Sequence, residues 1–185
     1  TEIAIVDLER QELVTAIPLS FSPAYIAAGR DPYFYVTSVL QYWKSFTNYG
    51  QSYLVDTEQN VATSIPQAGL LEIDPARSRL YVAAHRQIYQ YEITAGAVQL
   101  VQQVETKGLV VEMYLGAGGT RIYAASTGFF ASPEDVVAHG LISSRANVEV
   151  EVVEVFDAER MVKIGELYTG AFPRAIAGSG DHIVV

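Results

Sequence analysis

Residues 70–83 read Leu-Leu-Glu-Ile-Asp-Pro-Ala-Arg-Ser-Arg-Leu-Tyr-Val-Ala, and they carry the clearest fold signal in the chain. Two short apolar runs, Leu70–Ile73 and Leu80–Ala83, flank a polar segment that contains Asp74 and Pro75. Short runs of β-branched and aromatic residues that are bounded by Asp and Pro are typical of strands joined by a turn. The stretch therefore predicts an antiparallel β-hairpin.

The same hairpin pattern returns three more times along the chain. Each copy has an apolar strand, then a turn rich in Gly or Asp, then a second strand that is apolar and mostly carries Tyr. The copies are Pro23–Ser38, Val111–Ser126 and Pro173–Val185. A unit that returns in this way predicts a repeat architecture.

A second kind of hairpin alternates with the first. Its first strand ends in Asp at three places, Asp7, Asp56 and Asp157, because an Asp side chain can accept hydrogen bonds from the backbone that follows it. We interpret these aspartates as turn formers and not as catalytic acids. The copies of this hairpin are Ile3–Ile17, Tyr53–Ile65, Ile88–Val104 and Val150–Leu167.

Alternation of the two hairpins predicts an all-β chain, a β-propeller of about four blades with four antiparallel strands each. The predicted unit boundaries lie near residues 18–23, 66–70, 105–110 and 168–173. The pattern resembles the YVTN-type β-propeller repeat, most literally at Tyr35-Val36-Thr37-Ser38 and at Ile5-Val6-Asp7. The resemblance extends over nearly the whole chain.

One blade is predicted to be split between the two ends of the chain. The N-terminal hairpin has the pattern of the two outer strands, and the C-terminal hairpin has the pattern of the two inner strands. Residues 1–185 then form a single propeller domain or part of a larger propeller. Three arrangements stay open: a piece of a propeller of about six to eight blades, two copies in one ring of about eight, or a ring of about four blades closed by one chain.

Composition excludes several classes of protein. The chain has 185 residues, half of them apolar and 18% charged, so it can form a core and is not mainly disordered. A net charge of −9 argues against a nucleic-acid partner bound through a basic face. The absence of cysteine excludes disulfides, thiolate nucleophiles and zinc–thiolate sites. The sequence predicts no transmembrane segment, and the four carboxylates in its first twenty residues do not fit a signal peptide.

Two connections between the second and third strands of a blade are predicted to be long. They are residues 39–50 and residues 127–147, whereas the equivalent link at His85-Arg86-Gln87 is short. Propeller connectivity places such links on one face, and long connections often carry function. The aromatic residues of these loops are the predicted contact residues, and the alternative is that those of the first loop pack as a small local core. They are Tyr42, Trp43, Tyr49, Phe129 and Phe130.

Catalytic and metal signals are weak. His85 beside Arg86 suits an anionic ligand near the mouth of the channel, although a solvated link is the simpler interpretation. Residues 133–139 are predicted to form one short helix, and the acids and His139 in it are too few for a metal site. We predict no metal and no cofactor, and no catalytic residue is identified.

The function expected from the sequence is therefore a non-catalytic binding or scaffold module. It would contact a protein or glycan through the face that carries the two long loops. Proteins with YVTN-like repeats include surface-layer and other exported proteins, so the resemblance implies an exported or cell-surface protein, in the periplasm or at the cell surface. The alternatives are a lactonase-like hydrolase with a site at the channel mouth, or a self-assembling structural unit whose partner is another copy.

Overall fold

The computed structural model describes residues 1–23, 25–29, 32–41, 48–94, 97–130, 149–169, 176–179 and 182–185. Within these ranges every regular element is a β-strand, apart from one short 3-10 turn at Ala117–Gly119. The prediction of an all-β chain is confirmed. The strands are β1 (Glu2–Asp7), β2 (Glu12–Pro18), β3 (Tyr25–Ala28), β4 (Tyr33–Gln41), β5 (Asn48–Asp56), β6 (Val61–Ile65), β7 (Leu70–Asp74), β8 (Arg79–Ala84), β9 (Gln87–Thr94), β10 (Ala97–Glu105), β11 (Leu109–Leu115), β12 (Arg121–Phe130), β13 (Glu149–Asp157), β14 (Val162–Thr169), β15 (Ala177–Ser179) and β16 (His182–Val184).

The strands form antiparallel sheets in chain order. Three sheets have four strands each, β3 to β6, β7 to β10 and β11 to β14, and every strand pairs with its neighbour in sequence. The hairpins β1–β2 and β15–β16 form two-stranded sheets. The predicted quartets of antiparallel strands are therefore confirmed.

Aspartate side chains end three of the strands, as predicted. The Oδ1 atom of Asp7 accepts hydrogen bonds from the next two turn amides, Glu9 N–H at 2.9 Å and Arg10 N–H at 3.0 Å. Asp56 and Asp157 each make the same pair of bonds two and three residues on. The residue four positions after each aspartate has a positive φ: Gln11, Asn60 and Met161.

The chain divides into two compact units, Thr1–Ala84 with Tyr89–Gln102, and His85–Ile88 with Gln103–Val185. In the first unit, sheet β3–β6 packs against other strands on both faces. Tyr35 packs on one side in a cluster with Leu80, which belongs to sheet β7–β10. Val36, the next residue along β4, faces the other way and packs with Ile17 of hairpin β1–β2.

In the second unit, hairpin β15–β16 packs against sheet β11–β14. Ile176 and Ile183 lie in a cluster with Ala125 and Val153. The hydroxyl of Tyr114 donates a hydrogen bond to the carbonyl of Gly178 at 3.1 Å. A Cβ atom at that glycine would lie 2.5 Å from the Tyr114 ring, so the close approach requires glycine.

The predicted bounds of the two long loops are wrong. Val39–Gln41 and Asn48–Gly50 belong to β4 and β5, and Thr127–Phe130 belong to β12. Each pair of strands shifts register at a bulge and then continues its backbone pairing. The strands therefore include residues that the sequence assigned to loops. The predicted helix at 133–139 lies outside the described residues. None of the described elements is a helix long and apolar enough to cross a membrane.

Candidate functional site

Two hairpins, β4–β5 and β12–β13, continue their strand pairing further than the equivalent hairpin β8–β9 does. The β4–β5 ladder shifts register after the pair Thr37 and Ser52, and pairing then continues to Gln41 opposite Asn48. The β12–β13 ladder shifts after Ser126 and continues to Phe130 opposite Glu149. By contrast, β8 ends at Ala84 and β9 begins at Gln87. Bulges that re-aim side chains are common next to functional sites, which makes the two extensions the candidate contact elements.

Buried hydroxyl groups hold both strands where they bulge. Ser38 Oγ accepts a hydrogen bond from Gln51 N–H at 2.9 Å, across the shift in the β4–β5 ladder. Ser52 Oγ donates to Thr37 Oγ1 at 2.8 Å in the same place. These groups are buried, so the hydrogen bonds are shielded from competing water.

A sequence signal for the bulges exists, although sequence reasoning missed it. Ser38 and Ser126 end the equivalent stretches Tyr35–Ser38 and Tyr123–Ser126, and both precede an extended hairpin. Ala84 has the same position in the sheet whose hairpin turns at once. A buried Ser at this position therefore accompanies a long hairpin.

The structure places only part of the predicted contact set. Tyr49 lies on β5 opposite Val39, and Phe129 and Phe130 lie on β12 opposite Val150 and Glu149. These three aromatic residues are thus strand residues of the extensions, not loop residues. Tyr42 and Trp43 lie outside the described residues.

The predicted anionic-ligand residues form a tight turn in the second unit. His85 has a φ of 57°, and its carbonyl accepts a hydrogen bond from Val110 N–H at 2.9 Å. The carbonyl of Arg86 accepts one from Thr106 N–H, also at 2.9 Å. Both side chains are exposed, and the backbone of the turn anchors the start of β11.

A buried carboxylate, Glu154 on β13, is a feature that sequence reasoning did not single out. Its side chain is 1% exposed. Its Oε2 atom accepts hydrogen bonds from Lys107 N–H at 2.9 Å and from Ser126 Oγ at 3.1 Å. Burial raises the pKa of Glu154, and these two hydrogen bonds and the Lys163 ammonium oppose the rise. The sequence does carry a signal for this burial. Glu154 alternates with the apolar residues Val152 and Phe156, so the three share one face of β13, and all three are buried.

A second carboxylate, Glu166 on β14, has the opposite shift. Its two oxygens contact the Nζ atoms of Lys107 at 3.0 Å and Lys163 at 2.8 Å. Burial raises the pKa of Glu166, but the two lysines lower it by more than burial raises it. The pKa of Glu166 is therefore below its ordinary value. Lys107 Nζ also donates to the hydroxyl of Tyr168 at 2.9 Å. The cluster joins β13, β14 and the segment before β11, and its charges balance internally.

The described residues contain no group of three or more acidic or histidine side chains arranged to hold a metal ion. Glu134, Asp135 and His139, which the sequence placed together on the predicted helix, lie outside the described ranges.

Comparison with known proteins bears on the fold. No protein-family model and no curated protein matches the chain. Similar solved structures include the dihydro-heme d1 dehydrogenase NirN in complex with DHE, with 11% identity, a TM-score of 0.57, and coverage of 89% of this chain and 32% of that one. The acylaminoacyl peptidase of Pyrococcus horikoshii has 15% identity, a TM-score of 0.55, and coverage of 86% and 27%. A putative 6-phosphogluconolactonase from Bacteroides uniformis has 14% identity, a TM-score of 0.55, and coverage of 98% and 56%.

The chain thus spans from about a quarter to somewhat over half of the length of these structures. At such identities the likeness shows the fold alone, and the propeller class of fold is confirmed by it. The number of blades and the membership of the YVTN repeat family stay predictions.

Proposed function

We propose that this chain is a non-catalytic β-propeller module that binds a protein or glycan through its two extended hairpins, β4–β5 and β12–β13. The extended end of each hairpin is the proposed contact element. The observation that carries the proposal is the continuation of both ladders past a bulge, to positions that hold Tyr49, Phe129 and Phe130. Aromatic side chains dominate binding hot spots.

The described polar interior supports a scaffold role. The Oε2 atom of Glu154 accepts hydrogen bonds from Lys107 N–H and Ser126 Oγ, and Thr37 Oγ1 accepts one from Ser52 Oγ. These hydrogen bonds hold strands of a sheet, and the segment before β11, in place, whereas a catalytic side chain must have a polar atom directed at the substrate. Structural use of the buried polar side chains favours binding over turnover.

The same reasoning applies to His85 and Arg86. The carbonyl of His85 anchors the start of β11, the carbonyl of Arg86 holds Thr106 in the segment before it, and both side chains are exposed on a two-residue turn. An exposed turn suits surface recognition better than the water-excluded site of an acid–base catalyst.

Trp43 provides a direct test, because it is the only tryptophan of the chain and belongs to the first hairpin connection. Wild-type protein is screened on a glycan array and by affinity capture with identified proteins, and each hit is titrated while Trp43 fluorescence is followed. We expect a change in fluorescence on binding. Replacing both Trp43 and Tyr49 by Ala should weaken binding at least about tenfold, a loss of roughly 1.4 kcal/mol.

The matched control is Glu58→Ala, in the exposed turn that follows β5, at the other end of that strand from Tyr49. Its affinity for the same partner should equal that of the wild type. Equal binding by the Trp43→Ala/Tyr49→Ala variant would contradict the proposal. If the wild type opens the ring of a lactone and His85→Ala abolishes this activity, the binding proposal is wrong and the lactonase-like hydrolase takes its place.

A further inference from the structure

An apolar cavity of about 260 Å³ lies along strand β1 in the first unit. It is lined by the consecutive residues Ile3–Val6 and, in sheet β3–β6, by Ile26, Phe34 and Val36 among others. Consecutive strand residues point to opposite faces of a sheet. A cavity that contacts all four of them therefore runs along the edge of β1, which suits an extended strand better than a compact molecule.

That edge of β1 has no second strand among the described residues. β1 pairs with β2 alone, so its other edge offers backbone donors and acceptors for an added strand. Beside it, the side chains of Ile26 and Phe34 are 60% and 40% exposed, whereas Val36, which packs with hairpin β1–β2, is fully buried. The part of this sheet face that β3 and the start of β4 form is thus left uncovered.

Hairpin β15–β16 in the second unit has the complementary features. β16 pairs with β15 alone in the part of the chain that the structure describes. Ile183 packs against sheet β11–β14, while its neighbour Val184 is 72% exposed. The hairpin therefore has one covered face, an open edge on β16, and an uncovered face on which Val184 is the apolar residue of that strand.

The other sheets supply the register for joining such edges. Where β4 pairs with β5, Tyr33 at the start of one strand lies opposite Asp56 at the end of the other. Where β12 pairs with β13, Arg121 lies opposite Asp157 in the same way. β16 starts at His182, and β1 ends at Asp7, which forms the same turn as those aspartates. The shared register then sets His182 opposite Asp7, Val184 opposite Ile5, and Val185 opposite Ala4.

We propose that hairpin β15–β16 of a second copy docks on β1, so that the four strands β15, β16, β1 and β2 form one sheet between two chains. In this register Val184 of the second copy packs on Ile26 and Phe34, and β16 occupies the cavity beside β1. The size of a propeller supports a second copy as the source of the hairpin. The putative 6-phosphogluconolactonase structure, of which this chain covers 56%, is nearly twice as long as this chain, so two copies together reach the length of one such protein.

The chain lacks cysteine, so introduced thiols report only the intended contact. Ala4→Cys and Val185→Cys are made as separate full-length chains, one of them isotopically heavy, because both positions are exposed and tolerate replacement. The two chains are refolded together and oxidised in air. We expect a heavy–light disulfide dimer as the main product by mass spectrometry, and a wild-type mass of at least a dimer by light scattering.

The matched control pairs Ala4→Cys with His182→Cys, a position three residues from Val185 on the same strand. About 10 Å separates residues that far apart in a strand, so the yield should fall at least about fivefold. Equal yields from both mixtures overturn the proposal. So does a strictly monomeric wild type, and so does a double variant Ala4→Cys/Val185→Cys whose disulfide forms within one chain.

Discussion

The hydroxyl of Tyr35 is buried without a hydrogen-bond partner, whereas the hydroxyl of Tyr81 accepts a hydrogen bond from Gln90 Nε2 at 3.3 Å. The two tyrosines are the third residues of β4 and β8, and both are fully buried. Burial raises the pKa of Tyr35, and the neighbouring Tyr33 adds to the rise. Equivalent positions in two successive sheets thus differ in whether the polar atom is satisfied.

Replacing Tyr35 by Phe should therefore stabilise the protein, or leave its stability unchanged. The substitution removes a buried hydroxyl that makes no hydrogen bond, and such a group costs about 1–3 kcal/mol to bury. We expect an unfolding free energy higher by up to about 1 kcal/mol in urea denaturation. Tyr81→Phe is the matched control, and it should lower the unfolding free energy by about 1 kcal/mol because Gln90 loses a partner. Equal losses in the two variants would contradict this assignment.

The two carboxylates of the β13–β14 cluster should give opposite pH dependences. The pKa of Glu154 is raised in the folded state, so its contribution to stability is present below about pH 4.5 and is lost as the pH rises through the folded pKa. Relative to the wild type, Glu154→Gln should gain unfolding free energy as the pH increases from 4 to 7. Denaturation curves at a series of pH values measure the difference.

Glu166 has a lowered pKa, so its contribution is present above about pH 4.5 and is lost as the pH falls through the folded value. The wild type should lose its advantage over Glu166→Gln on acidification. Parallel pH profiles for Glu154→Gln and Glu166→Gln would show that burial and the lysines do not act as described.

The turn after β1 should be stabilised by a glycine at one position. Gln11 has a φ of 55°, a conformation that costs a side chain roughly 1 kcal/mol and glycine nothing. Its side chain is exposed, so Gln11→Gly loses no packing and should raise the thermal midpoint by a few degrees. Glu9→Gly in the same turn is the control and should lower it, because only chain entropy changes there. A lower midpoint for Gln11→Gly would refute the prediction.

The contribution of Asp56 to stability should depend on its acceptor oxygen and not on its charge. Its Oδ1 atom accepts two backbone hydrogen bonds at 2.9 Å, from Glu58 N–H and Gln59 N–H. Asp56→Ala should cost about 1–2 kcal/mol of unfolding free energy, as the loss of a capping side chain does. Asp56→Asn keeps the acceptor oxygen and should retain most of the stability in the same denaturation experiment. Equal losses for both variants would point to the charge instead.

Much of the fold was accessible to sequence reasoning because its signals are local. The aspartates that end β1, β5 and β13 bond to amides two and three residues away, so their role is visible in a short stretch. The candidate site was less accessible. Tyr49, Phe129 and Phe130 were recognised as residues of the long connections, but their places on bulged strands depend on hydrogen bonds between strands.

The order of hairpins, the quartets of strands and the Asp turns are determined by the sequence alone. Alternation of side chains and bonds between near neighbours need no knowledge of which sheets meet. Only the tertiary structure decided that Glu154 is buried among Lys107 and Ser126, that Tyr35 lacks a partner, and that the edge of β1 borders an apolar cavity. Each of these depends on atoms brought together from distant parts of the chain, and their contact is set by packing between strands and sheets.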